Sequence, residues 1–272
     1  MGTTETEIKE PLITPLARKY YDYATNEQNR KHYRAADIRI CLEKICDEIL
    51  IDMVLEEDRK KWRKYKLHNK LEAAHKCLHD KKVVDKIIEA KVMGNKGVHD
   101  GEEGNYDEKD IDEAMEAIKD FSLEVFHSYF ITNGFNAQKE SWLPTVFSTL
   151  PPVYRVRILE KYYQEDNSTF VIDKLSKAYV KDRRGEYAKE YLKKCHKKGE
   201  LDDFQYELFM RDVDLLGAQL HRLPIANNLE NARKNFNNLL PAISQKQRDG
   251  FVYLVSSILN GRENQSKNLK SE

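Results

Sequence analysis

The run Lys91-Val-Met-Gly-Asn-Lys-Gly-Val-His99-Asp100 places an imidazole, two ammonium groups and a side-chain amide close together. RNA cleavage through the 2′-hydroxyl needs a group that exchanges a proton near neutral pH and a cation beside the phosphate. Histidine meets the first need, and lysine or arginine meets the second. His99 is therefore the candidate proton-transfer residue. Lys91, Asn95, Lys96 and, from an upstream helix, Arg39 are the candidate contacts to phosphate or base. A structural reading competes with this one: His99 closes or caps a turn, and Arg39 pairs with Glu43 one helical turn away on a solvated face.

Other constellations are weaker. His68, His75 and His79 stack on one face if residues 67 to 79 form an unbroken helix, but no cysteine pair or HExxH motif supplies the remaining ligands of a zinc site. An ordinary polar face is the better reading, and no metal or cofactor is expected. The segment Arg59-Lys-Lys-Trp-Arg-Lys-Tyr-Lys66 surrounds two aromatics with six cations, a composition suited to a phosphate backbone and stacked bases. Glu56, Glu57 and Asp58 precede it, so it reads equally as a solvated helix end with favourable i,i+4 pairs. Lys193, Lys194, Lys197 and Lys198 read as solvated surface. Phosphate-binding loops, nucleophile elbows and dinucleotide fingerprints are missing from the sequence.

The elements that must position these residues are helical. Ile38, Leu42, Ile45, Ile49 and Met53 recur at spacings of three and four, which predicts a helix within residues 28 to 57 with one core face. Shorter helices are expected over 67 to 79 and 81 to 92, the second capped by Asp80. A long amphipathic helix follows Asp107, with acidic residues in its first turn. Glycine is missing from residue 3 to 93, and four of the eleven glycines then fall within 94 to 104, which predicts a loop carrying His99. Asn133-Gly134, Pro144 and Pro151-Pro152 predict an exposed junction between two helical domains.

The expected organisation is all-α: an N-terminal extension (1–27), a helical bundle (28–133), a linker (134–152), a second helical domain (153–261) and a disordered tail (262–272). Equal numbers of Lys+Arg and Asp+Glu, 46 of each, leave no overall field to attract nucleic acid or anionic lipid, so any such binding needs a local patch. The four cysteines lack metal or disulfide spacing. The N-terminus lacks a signal-peptide pattern, and no apolar run approaches a bilayer-spanning length. A cytoplasmic protein without membrane contact is the expectation.

The Arg39-Ile-Cys-Leu-Glu43 sequence in the first helix and Gly94-Asn-Lys-Gly-Val-His99 before the last helix of the bundle together resemble the HEPN superfamily, specifically its bacterial subgroup with R-x-x-L-E and G-N-x-x-x-H motifs. The resemblance covers about residues 28 to 133. It implies a HEPN-like four-helix bundle that forms a homodimer, and a metal-independent endoribonuclease or RNA-binding role in phage-defence or toxin-antitoxin systems. Catalytic members carry R-x4-6-H; here positions 92, 93 and 94 are Val, Met and Gly, and Lys91 is the nearest upstream cation. A lysine is a point charge and does not reproduce the planar fork of arginine on a phosphate. The alternative is a non-catalytic dimeric scaffold whose C-terminal domain recognises a partner protein.

Overall fold

The computed structural model describes residues 6–100, 105–135 and 142–262, and these residues are α-helical with short 3-10 turns and no strand. None of their helices is long and apolar enough to cross a membrane. The chain forms two compact units. One comprises Glu10–Tyr129 with the chain from Tyr253 on; the other comprises Phe130–Val252 with the segment before Glu10.

The first unit is built around α2 (Lys31–Glu48), which packs against α1 (Pro15–Thr25), α4 (Leu67–Cys77) and α5 (Lys81–His99). Ile38, Leu42, Ile45 and Ile49 are buried as their spacing predicts, and Cys41 and Cys46 fill the gaps between them; the helix ends at Glu48, however, and Met53 beyond it is only half-buried. Truncating one of these large aliphatic side chains to alanine costs about 2–5 kcal/mol in a packed core. The residues expected as an extension hold α1. Thr14 accepts the Ala17 amide at 3.3 Å as N-cap, Pro15 sits at the first helical position, and Ala17, Tyr21 and Ala24 bury one stripe.

Charged side chains then fix the helix ends. The Arg34 guanidinium donates through Nε to the Ala24 carbonyl at 2.7 Å and pairs with Glu108 in the first turn of α6 (Glu108–Asn133). Arg262 donates to the carbonyls of Asp47 and Glu48, which the end of α2 leaves without helical partners. On α6, the fully buried Glu124 accepts from the backbone of Asp80 at 2.9 Å and from Ser128 Oγ at 2.6 Å, and its other oxygen meets His127 Nδ1 at 3.1 Å. Ser128 accepts the His79 amide at 2.8 Å. The turn between α4 and α5 is thus held on α6 by a carboxylate and a hydroxyl.

The second unit contains α7 (Leu143–Phe147), α8 (Pro152–Tyr162), α9 (Thr169–Lys181), α10 (Gly185–Lys197), α11 (Asp203–Gln219) and α12 (Leu229–Leu239). Successive helices α8 to α11 pack on one another, and α11 also touches α9. Phe130, Phe135, Phe147, Tyr162 and Phe251 meet edge-on or tilted at 4.6 to 6.3 Å between ring centroids. Of the expected exposed linker (134–152), residues 136–141 lie outside the described residues, and much of the rest is not exposed. Phe135, Leu143, Val146, Phe147 and Leu150 are buried, because the prolines start short helices whose apolar sides face the core. The division between units falls instead within α6 and again within α13 (Gly250–Asn260). The expected tail lies outside the described residues except for Arg262.

Both ends of α10 meet a left-handed residue. Gly199 has φ +75°, and Glu200 donates back to the Cys195 carbonyl at 3.1 Å, closing a Schellman cap. The same geometry ends α9, where Arg184 donates to Tyr179 at 2.9 Å, but the left-handed position is Arg183, with φ +64°. An L side chain there costs about 1 kcal/mol relative to glycine. Arg183 is exposed, so Arg183→Gly should raise stability by roughly that amount, read as a rise of a few degrees in the thermal midpoint.

Candidate functional site

The segment expected as a glycine loop is helix. α5 runs unbroken from Asp80, whose side chain caps it by accepting the Lys82 amide at 3.1 Å, to His99. Gly94 and Gly97 are buried inside it and face α2. A Cβ on Gly94 would stand 2.9 Å from Arg39 Cβ and 3.0 Å from the Ala35 carbonyl. One on Gly97 would stand 2.5 Å from Ala35 Cβ and 2.8 Å from the His32 carbonyl. These glycines serve close helix approach, not a turn. Ala90, Gly94 and Gly97 continue the buried series Val83 and Ile87 at spacings of three and four. Gly101 and Gly104, the rest of the expected loop, lie outside the described residues.

The helix decides which candidates meet. Lys91, Asn95 and His99 fall at i, i+4 and i+8, one stripe along α5, with His99 exposed at its last residue and the other two half-buried. Val92 and Val98 flank the stripe with 47% and 45% of their surface open. Lys96 is turned away from it and donates to the Asn105 carbonyl at 3.2 Å, tying α5 to the segment before α6. Arg39 stands on α2 against Gly94 and pairs with Glu43 at 3.3 Å, while its Nε is buried with no hydrogen-bond partner among the described residues. The i,i+4 pair read from the sequence therefore forms, and it engages one end of the guanidinium.

A second face of α5 forms a groove of about 670 Å³ with α6. Its floor is Ala90, Met93, Ala114 and Ala117, and its rim is mainly acidic, with Glu89, Glu113 and Glu116 against Lys86 and Lys109. Such a rim repels a phosphate backbone. The basic run is also unsuited to stacking bases: Arg59 to Lys61 end α3 (Glu56–Lys61), Trp62 is buried, and the Tyr65 hydroxyl donates to Asp58 at 2.9 Å. The three histidines do not converge. α4 ends at Cys77, His68 meets Glu72 at 3.3 Å, His75 meets Asp85 at 3.4 Å, and His79 lies beside His127. Among the described residues no group of histidine, cysteine and carboxylate ligands could hold a metal. All four cysteines are free, and burial raises their thiols, so they are poor nucleophiles.

Residues 24–141 match a family model described as a domain of unknown function (DUF4145). No curated protein and no solved structure matches the chain.

The two roles available to the glycines differ in an observable way. Added bulk at the α2–α5 contact forces the helices apart, so Gly97→Ala should lower stability by about 1–3 kcal/mol in chemical denaturation, despite alanine's higher helix propensity. Gly185→Ala, at a position with open space around it, should change stability far less and serves as the control.

Proposed function

We propose that the first unit is a HEPN-like interaction module that works as a homodimer through α5, without catalysing a reaction. The observation that carries this reading is the symmetry of the α5 stripe. Val92 and Val98 stand three residues to either side of Asn95, and Lys91 and His99 stand four to either side. A two-fold axis near Asn95 sets Val92 of one copy against Val98 of the other, the self-complementary match that an isologous interface requires. Partner-protein recognition falls to the second unit. Its α11 buries only Val213, while Phe204 leaves 74% of its surface open and Leu215 leaves 53%.

RNA cleavage or binding in a defence or toxin setting is the second reading, favoured by the exposure of His99 on the stripe that carries Lys91 and Asn95. The same two-fold axis brings His99 of one copy toward Lys91 of the other, a proton-transfer group beside a cation. Arg39 counts against it, because Glu43 already neutralises part of its charge.

Two experiments separate these readings. Light scattering after size-exclusion chromatography should give a dimer for the wild type and a monomer for Val92→Glu, with the thermal midpoint of the monomer preserved; a wild-type monomer at high micromolar concentration removes the first reading. Structured and single-stranded RNA incubated with the protein without metal should remain intact. Cleavage that falls about a hundredfold in His99→Ala, at unchanged fold, would establish the second reading instead.

A further inference from the structure

A cationic cluster in the second unit has more positive charge than its own carboxylates balance. Arg155 on α8 is 6% exposed, and its Nε has no hydrogen-bond partner among the described residues. Lys174, Lys177 and Lys181 follow at i, i+3 and i+7 along one side of α9, and Lys181 lies within the electrostatic reach of Arg155. Lys177 is shared by Asp173 at 2.5 Å and Asp212 at 2.9 Å, and Lys174 reaches Asp173 at 3.2 Å and the face of Phe170. Lys181 has no carboxylate within ion-pair distance among the described residues. Asp182, whose charge acts on Arg155, is already engaged by Thr6 Oγ1 at 2.9 Å and interacts with Arg157 and Arg184 as well.

Burial and the charges of Arg155, Lys174 and Lys177 push the Lys181 ammonium down to about 8, and burial brings Arg155 down to about 10. Like charges held together this way cost stability, and a buried guanidinium needs compensation for the water it gives up. We propose that Arg155, Lys174 and Lys181 form an oxyanion-binding site that takes the phosphate group of a small phosphorylated ligand. Arg155 supplies a planar donor, and Lys174 and Lys181 supply point charges from α9. Asp173, Asp182 and Asp212 interrupt any cationic track along which a polynucleotide could continue. Nothing in this proposal depends on the α5 dimer or on RNA.

Inorganic phosphate is the probe, added to the full chain at constant ionic strength with chloride as the control. Phosphate at about 10 mM should raise the thermal midpoint, since a ligand that binds only the folded state stabilises it by mass action. It should also slow acylation of the Lys181 amine by an activated ester, read by peptide mass spectrometry. Lys181→Gln and Lys174→Gln should each weaken phosphate binding by about tenfold or more, while Lys193→Gln on exposed α10 should leave it unchanged. Lys181 is half-exposed, so Lys181→Gln is expected to fold, and its own midpoint without phosphate checks that. Equal responses to phosphate in wild type and Lys181→Gln would overturn the proposal. So would an unchanged midpoint and acylation rate, or binding of a polynucleotide with none of phosphate.

Discussion

The close approach of α2 and α5 is the constraint on which the first unit depends. Two glycines in the interior of a helix cost about 1 kcal/mol each relative to alanine, so their place in α5 needs a compensating contact. Here it comes from backbone packing, with the carbonyls of His32 and Ala35 lying 2.8 and 3.0 Å from where a Cβ would stand. That proximity fixes the rotation of α5 about its axis. Once Gly94 and Gly97 face α2, Lys91, Asn95 and His99 must take a common stripe, Lys96 must leave it, and Met93 must line the groove with α6. The candidate site is therefore a consequence of helix packing and not of a loop.

The helices were largely legible in the sequence, because burial of one face leaves a period that can be counted. Ile38, Leu42, Ile45 and Ile49 lie in the core as that period requires. The glycine segment was not legible. A glycine that adopts positive φ and one that admits a neighbouring backbone look alike in a sequence; only the partner's position tells them apart. One signal was available, since Ala90, Gly94 and Gly97 extend the apolar period of Val83 and Ile87, which a turn would have interrupted. α1 carried a comparable signal in Thr14-Pro15 followed by Ala17, Tyr21 and Ala24, a cap, a helix start and a buried stripe.

The buried polar groups were the least legible part. Glu124 and Ser128 sit one turn apart on α6, ordinary for a solvated face, yet Glu124 is fully buried and Ser128 nearly so. Their partners are backbone amides at the α4–α5 turn, some forty residues earlier in sequence. Main-chain donors carry no side-chain signature, so no pairing of residue types announces such a contact. Arg34 shows the same limit: its Nε partner is the carbonyl of Ala24, and only Glu108 is a charge that sequence could have offered. These contacts orient α5 and α6 without touching the stripe that ends in His99.

The first unit joins two distant stretches of the chain: its body lies between residues 10 and 129, and Arg262 satisfies the last carbonyls of α2 from more than two hundred residues away. During synthesis the order of completion is then the reverse of the order of emergence. Domains ordinarily fold from the N-terminus as they leave the ribosome, but here the carbonyls of Asp47 and Glu48 can meet Arg262 only after α13 has been translated. The intervening unit is nearly contiguous and can assemble first. A nascent chain halted before α13 would hold an unfinished first unit and a nearly complete second one.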